Sequence, residues 1–240
     1  MQPENLQHTD VNVRGIDFKL MTYTRSLELC ARMNYETENL DFIDTMLPGE
    51  VMYDLGACEG RFSIYAAMKG IRVFSFEPEQ KNYLVFSQNV ALNAIEENRL
   101  KAINAGVGAK NGKAVMNIGQ PWEGGHQKVV KHDEIRNDLD FNFVENQEIN
   151  IVSIDAFVSE GNPTPDYLKV DIDGSEMPFL NGAVATLQSK NLKGIIFELN
   201  ETDPNFNAII QLLGNYRFKE SKRYSVPNEP DLYNIIFLRA

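Results

Sequence analysis

The sequence predicts an α/β fold, a mostly parallel sheet covered by helices on both faces. Three observations predict it. From residue 51 onward, short apolar runs of strand length alternate regularly with helix-length segments. No internal repeat, low-complexity tract or Pro/Gly/Ser linker interrupts that alternation. The chain has 240 residues, 43% hydrophobic and 24% charged, which is ordinary globular composition and excludes a disordered or fibrous chain.

The elements follow in order. Residues 1–49 read as a helical and strand cap, with a short strand over Phe18–Thr22, mixed helix patterning after it, and a break at LPGE (47–50). Val51–Leu55 is the first strand of the main sheet. Arg61–Lys69 is a helix with Phe62, Tyr65 and Ala66 on one face. Ile71–Phe76 is a strand, and Glu79–Asn93 a helix with Tyr83, Leu84, Phe86, Val90 and Leu92 as its apolar stripe. Leu100–Asn104 is a further strand. Residues 106–152, with glycines and turns such as NGK (111–113), read as short antiparallel strands and loops. Tyr167–Val170 is a strand leading into a helix that runs through Leu187. Gly194–Leu199 is a strand and Asn205–Leu213 a helix. Tyr216–Ser221 and Leu232–Leu238, joined through VPNEP (226–230), close one edge as an antiparallel hairpin.

Composition narrows the function. The net charge is −11 and the pI about 4.8, and no local basic patch offsets it, so nucleic acid is not expected as a partner. Cys30 and Cys58 are the only two cysteines, which implies no disulfide framework and fits a reducing cytoplasm. The leader MQPENLQHTD lacks a basic segment followed by an apolar stretch, and no apolar run approaches the ~18 residues of a membrane span. A cytoplasmic protein with no membrane span is expected.

The first chemical signal is VMYDLGACEG (51–60), where a strand ends in Asp54 and Gly56 and Gly60 bracket a turn into a helix. Glycines let the backbone approach a ligand closely, and a helix N-terminus offers free amides. The spacing is D-x-G-x-x-x-G, not the dinucleotide G-x-G-x-x-G. A carboxylate at the mouth repels pyrophosphate and favours an ammonium or sulfonium group, and S-adenosylmethionine carries both. The plainer reading makes Asp54 a helix cap and the glycines an ordinary turn. Glu77, in FSFEPE, ends the next strand, where an acid accepts hydrogen bonds from ribose hydroxyls; the plainer reading is a surface glutamate before a proline turn. The two signals fall at matching ends of consecutive strands, so together they point to a nucleoside-containing cofactor. Ala57 and Glu59 in the turn, Pro78 beside Glu77, and Asp155 and Asp171 further on complete the candidate cofactor-binding set.

The second signal is acidic. DYLKV (166–170) runs into DIDGSE, which gathers Asp171, Asp173 and Glu176 beside Lys169; Asp155 lies in VSID and Glu198 ends GIIFEL. In a parallel sheet the ends of adjacent strands converge, so Asp171 and Glu198 are expected near the transferring group. Such acids serve as a general base, as oxygen ligands for a divalent cation, or as helix caps. Capping is the favoured role for Asp173 and Ser175, and the active site for Asp171. His126, in PWEGGHQK beside the single tryptophan Trp122, is a candidate base or pocket wall; His132 is a weaker candidate, and His8 reads as a surface residue. Three histidines and two cysteines show no zinc spacing, and no metal site is predicted.

YDLGACEGRFS, the acid in FEPE, SQNVALN (87–93), SIDAF (153–157), LKVDIDGSE and the strand FEL resemble the FkbM family of S-adenosylmethionine-dependent methyltransferases, over roughly residues 50–200. The resemblance implies a class I methyltransferase fold, Rossmann-like, whose seven-stranded sheet has its last strand antiparallel, here over residues 50–240. It also implies O-methylation of a sugar or natural-product hydroxyl. Members often carry Asn where Cys58 stands, and Val-Glu-Gly where this chain has Ile172, Asp173 and Gly174. On this reading Asp171, His126 and Glu198 are the candidate catalytic residues. Acceptor choice falls to the first fifty residues and the 119–135 loop. The expected partner is a small-molecule or sugar acceptor, and a homodimer is left open. Two alternatives stand: a cofactor-binding regulatory or inactive methyltransferase-like protein, and an NAD-type oxidoreductase on a similar sheet.

Overall fold

The computed structural model describes residues 7–126, 128–130 and 143–240. Arg14 and Gly15 both have positive φ, 52° and 79°, the backbone twist that a two-residue hairpin turn requires. They join β1 (His8–Val13) to β2 (Ile16–Met21), a two-stranded ribbon of which only the second strand is foreseen by the apolar pattern. α1 (Arg25–Cys30), capped by the Thr24 hydroxyl, and α2 (Thr37–Asp44) complete the leading segment.

The alternation then unfolds as expected: β3 (Val51–Leu55), α3 (Arg61–Met68), β4 (Arg72–Phe76), α4 (Gln80–Leu92) and β5 (Leu100–Ile103). β6 (Gly106–Val107), β7 (Gly112–Ile118), β8 (Lys128–Val130) and β9 (Glu145–Val152) form a separate small sheet in the order β6-β9-β7-β8. Its pairings are antiparallel except β6 with β9. α5 (Ile154–Ser159), β10 (Tyr167–Val170), α6 (Glu176–Asn181), α7 (Val184–Gln188), β11 (Gly194–Asn200), α8 (Phe206–Asn215), β12 (Phe218–Ser225) and β13 (Leu232–Arg239) follow.

The main sheet has seven strands in the order β12-β13-β11-β10-β3-β4-β5. β5, β4, β3, β10 and β11 pair in parallel, and β13 is antiparallel to both β11 and β12. The last strand therefore lies inside the sheet, between β11 and β12, and β12 takes the edge. Lys219, Glu220, Lys222 and Arg223 line that edge strand, where charge discourages pairing with another chain.

Alternate residues feed two cores. Tyr53, Phe74, Phe76, Leu168, Val170 and Phe197 pack with α5 to α8 on one face. Met52, Val73, Ile196 and Ile236 pack on the other face with α2, α3 and the leading ribbon, so residues 11–46 share a core with the sheet. Sheet order reverses between β3 and β10: the chain runs outward through β4 and β5, then returns to β10 and β11. Ligands of open α/β sheets sit at such a reversal, beyond the strands' carboxyl ends.

Three expectations are corrected. α3 is buried from Arg61 to Ala67 rather than on one face, because β2 and α2 cover its outer side. The buried face of α4 is Asn82, Val85, Phe86 and Asn89, while Leu84 is 50% exposed. The apolar stripe misleads because the two asparagines are buried by hydrogen bonding. Asn89 accepts from Met21 N at 2.8 Å and donates to Glu59 O at 2.8 Å; Asn93 pairs with both backbone groups of Lys19 at 2.7 Å. The helix expected to run through Leu187 is split into α6 and α7 at Gly182, where a Cβ would lie 2.0 Å from Gly108 O.

Candidate active site

β3 ends at Leu55, and the chain turns through Gly56 (φ 84°), Cys58 (φ 52°) and Gly60 (φ 85°) into α3. Both motif glycines are required by close packing. A Cβ on Gly56 would stand 1.8 Å from the Asp171 carbonyl oxygen, and one on Gly60 would stand 2.0 Å from the Phe86 ring. Gly56 N and Ala57 N donate to Phe76 O at 2.9 and 3.0 Å, tying the turn to the end of β4. The ends of β3, β4 and β10 are thereby drawn together around one cleft.

Glu77 lines one end of this cleft with Pro78. Its Oε2 accepts from Cys58 N at 2.8 Å and its Oε1 from Glu79 N at 2.9 Å, so the carboxylate is fixed in place. Asn104 donates to the carbonyls of Glu77 and Pro78 and holds the backbone beneath them. Burial pushes the Glu77 carboxyl up to about 8, against the pull of Lys128. Lys128 lies on β8, lines the same end, and pairs with Glu79, the N-cap of α4, at 3.0 Å. Gly106, Val107, Met116 and Val130 form an apolar wall.

The other end is ionic. Asp171 and Asp173 line it, and with Glu198 they bring carboxylate oxygens within 4.8 Å of one another. Burial and the neighbouring Asp171 charge push Asp173 up to about 7 and hold Glu198 well above the usual carboxylate range. Asp173 has φ 31°, an uncommon conformation for a non-glycine residue. Lys169 Nζ lies 3.4 Å from Asp171 Oδ2 and 3.3 Å from Asp54 Oδ1. Burial opposes its ammonium form, but Asp54 and Asp171 outweigh burial and keep it charged. His126 stands exposed at the rim, near enough to temper the rise of Asp173.

Gly56, Ala57, Glu77, Pro78, His126 and Asp171 of the expected set therefore line one cleft. Glu198 joins it through the acidic trio. Asp54 lies behind the lining, fully buried, accepting from the Ser63 hydroxyl and facing Lys169. Gly60 shapes the turn without lining the cleft. Glu59 is held by Arg61 at 2.8 Å, also away from the lining. Asp155 is elsewhere: it accepts from Ala185 N, Thr186 N and the Thr186 hydroxyl, and so caps α7. The cap expected at Asp173 or Ser175 is not made, since Ser175 occupies the N-cap of α6 with no side-chain capping bond. His132 falls outside the described residues.

Lys128, Lys169, Arg61, Glu36 and Asn82 line the cleft without having been foreseen as site residues. Lys169 had a readable signal, a lysine inside an apolar strand next to acids. Lys128, on β8, and Glu36, at the start of α2, are brought in from elements distant in sequence and had none. The acidic trio is the one group among the described residues close enough to share a cation, and Lys169 already supplies positive charge to Asp171.

A family model described as the methyltransferase FkbM domain matches residues 54–222. Among solved structures, an S-adenosylmethionine-dependent methyltransferase of Agrobacterium tumefaciens superposes with TM-score 0.51 at 10% identity, covering 97% of this chain and 70% of that one. An rRNA methylase of Streptococcus thermophilus superposes with TM-score 0.50 at 11% identity, covering 91% and 98%. Trm5b of Pyrococcus abyssi gives TM-score 0.50 at 18% identity, covering 98% and 56%. These likenesses concern the fold. Comparison with curated proteins returns no match.

Proposed function

The chain belongs to the FkbM family of S-adenosylmethionine-dependent methyltransferases, and from that premise we propose that it is an O-methyltransferase acting on a hydroxyl of a sugar, glycan precursor or other natural-product intermediate. The observation that carries the reading is the placement of Glu77 and Asp171 at opposite ends of one cleft, at the reversal of strand order. The residues present fit the cofactor. Glu77, with each oxygen holding one backbone amide, keeps lone pairs for two ribose hydroxyls. The apolar wall of Val107 and Met116 suits a purine face, and the carboxylates at the other end suit a sulfonium and an ammonium.

When bound, S-adenosylmethionine supplies an electrophilic methyl group on sulfur. The chain's own part is positioning and proton removal. Asp171, held by Lys169, would accept the proton of the acceptor hydroxyl; His126 and Glu198 are the other candidates for that proton. Protonated Lys169 steadies the negative charge that develops on the oxygen. We also expect the partner to be a small molecule and not a nucleic acid, since acids dominate the transfer end. Incubation with methyl-labelled cofactor and a panel of hydroxylated acceptors tests the assignment, with label recovered as a base-stable methyl ether. Label recovered only on nitrogen or carbon would contradict it.

A further inference from the structure

Glu36 reaches the cleft from outside the matched region. It is the N-cap of α2, and its side chain makes no capping bond to that helix. Its backbone is left-handed at φ 51°, ψ 37°, a conformation uncommon for a non-glycine residue. Arg61 Nη2 holds Oε2 at 2.6 Å, and Oε1 makes no hydrogen bond to the described residues. Arg61 is itself buried, with its guanidinium 4.5 Å from the Tyr35 ring centre and 4.4 Å from that of Phe62, so the carboxylate it grips is steadied in turn. Glu36 lines the cleft, and its charge is felt by Lys169 and Glu198, which puts it at the transfer end.

That end is short of free positive charge. Asp171 lines it with Glu36, Asp54 and Glu59 lie buried behind the lining, Asp173 and Glu198 are pushed up towards their neutral forms, and Lys169 and Arg61 are each already shared between two carboxylates. His126 stands at the rim, and the Lys128 ammonium is engaged by Glu79 while its backbone amide hydrogen-bonds Asp173. A bound sulfonium offsets part of this field; a phosphate or carboxylate on the acceptor meets what remains of it.

We propose that Glu36 selects the acceptor: its carboxylate accepts a hydrogen bond from an uncharged or ammonium-bearing polyol and disfavours phosphorylated or carboxylated ones. This rests on the methyl-transfer reading above. The test uses the full chain, labelled cofactor, and four probes: glucose, glucosamine, glucose 6-phosphate and glucuronate, each as its methyl glycoside. Label is expected in the first two and not in the last two. Glu36→Gln is expected to raise the acceptor KM about tenfold or more while cofactor Kd stays within about threefold. Glu36→Asp, which keeps the charge on a shorter arm, gives a smaller rise and serves if the glutamine variant fails to fold. Equal or preferred transfer to the anionic probes, an unchanged acceptor KM in both variants, or no transfer to any probe with cofactor still bound overturns the proposal. Failure of the wild-type chain to bind cofactor overturns the underlying reading instead.

Discussion

At the scale of single residues, the site depends on what burial does to its carboxyls. Glu77 is pushed up to about 8 by desolvation, and its ionised form is the one that accepts from two hydroxyls. Cofactor affinity should therefore strengthen as pH rises, by about fivefold or more between about pH 6 and about pH 8.5, because protons compete with the ribose for the same oxygens. Calorimetry across that range checks it, and a flat profile would remove Glu77 from the ribose site. Asp171→Asn should lower kcat by about a hundredfold or more, a larger effect than on cofactor Kd, since a general base acts in the transition state. Single-turnover rates separate the two quantities. The positions of Glu77 and Asp171 on one cleft were legible because each follows a strand in a recognisable block, whereas Asp54, expected at the mouth of the turn, is buried behind the lining. Asp155 misled: an acid after a strand-like run is equally a helix-capping acid, and only the fold shows it facing Ala185 and Thr186.

At the scale of elements, α4 joins the site to its cover through polar groups. Asn82 donates to Cys58 Sγ and Gly125 O at 3.2 Å and accepts from Gly124 N at 2.9 Å; Asn89 bridges β2 and the glycine turn. Asn89→Ala leaves a buried amide and a buried carbonyl unpaired, which should cost about 2–4 kcal/mol. Urea denaturation measures it, and a loss under about 1 kcal/mol would mean water replaces the bonds. Gly56→Ala should abolish cofactor binding, because a methyl group there displaces the Asp171 carbonyl and opens the cleft. Strand and helix succession was legible from apolar runs alone. The face of α4 was not, since periodicity counts apolar residues and this helix buries asparagines; β1 was hidden because its burial pattern is almost wholly exposed.

At the scale of the molecule, the parallel sheet and its reversal at β3 and β10 follow from the alternation the sequence displays, while the insertion of β13 between β11 and β12 does not. Alternation fixes that strands pair but not which edge a terminal hairpin joins. The cleft is completed by long-range packing of α2 and β8, which bring Glu36, Lys128 and Val130 into its lining. No helix of the described residues is long and apolar enough to cross a membrane. With a net charge of −11, the chain should not retard bulk tRNA in a gel at physiological salt, although one fold neighbour is an rRNA methylase. The central claim is that Glu77 and the glycine turn of β3 hold an adenosyl sulfonium at the sheet's carboxyl edge. Titrating the wild-type chain and Glu77→Ala with S-adenosylmethionine by calorimetry tests it most directly. One site per chain in the wild type and an affinity loss of about tenfold or more in the variant is the predicted result; no heat of binding in the wild type, or equal binding in both, would contradict it.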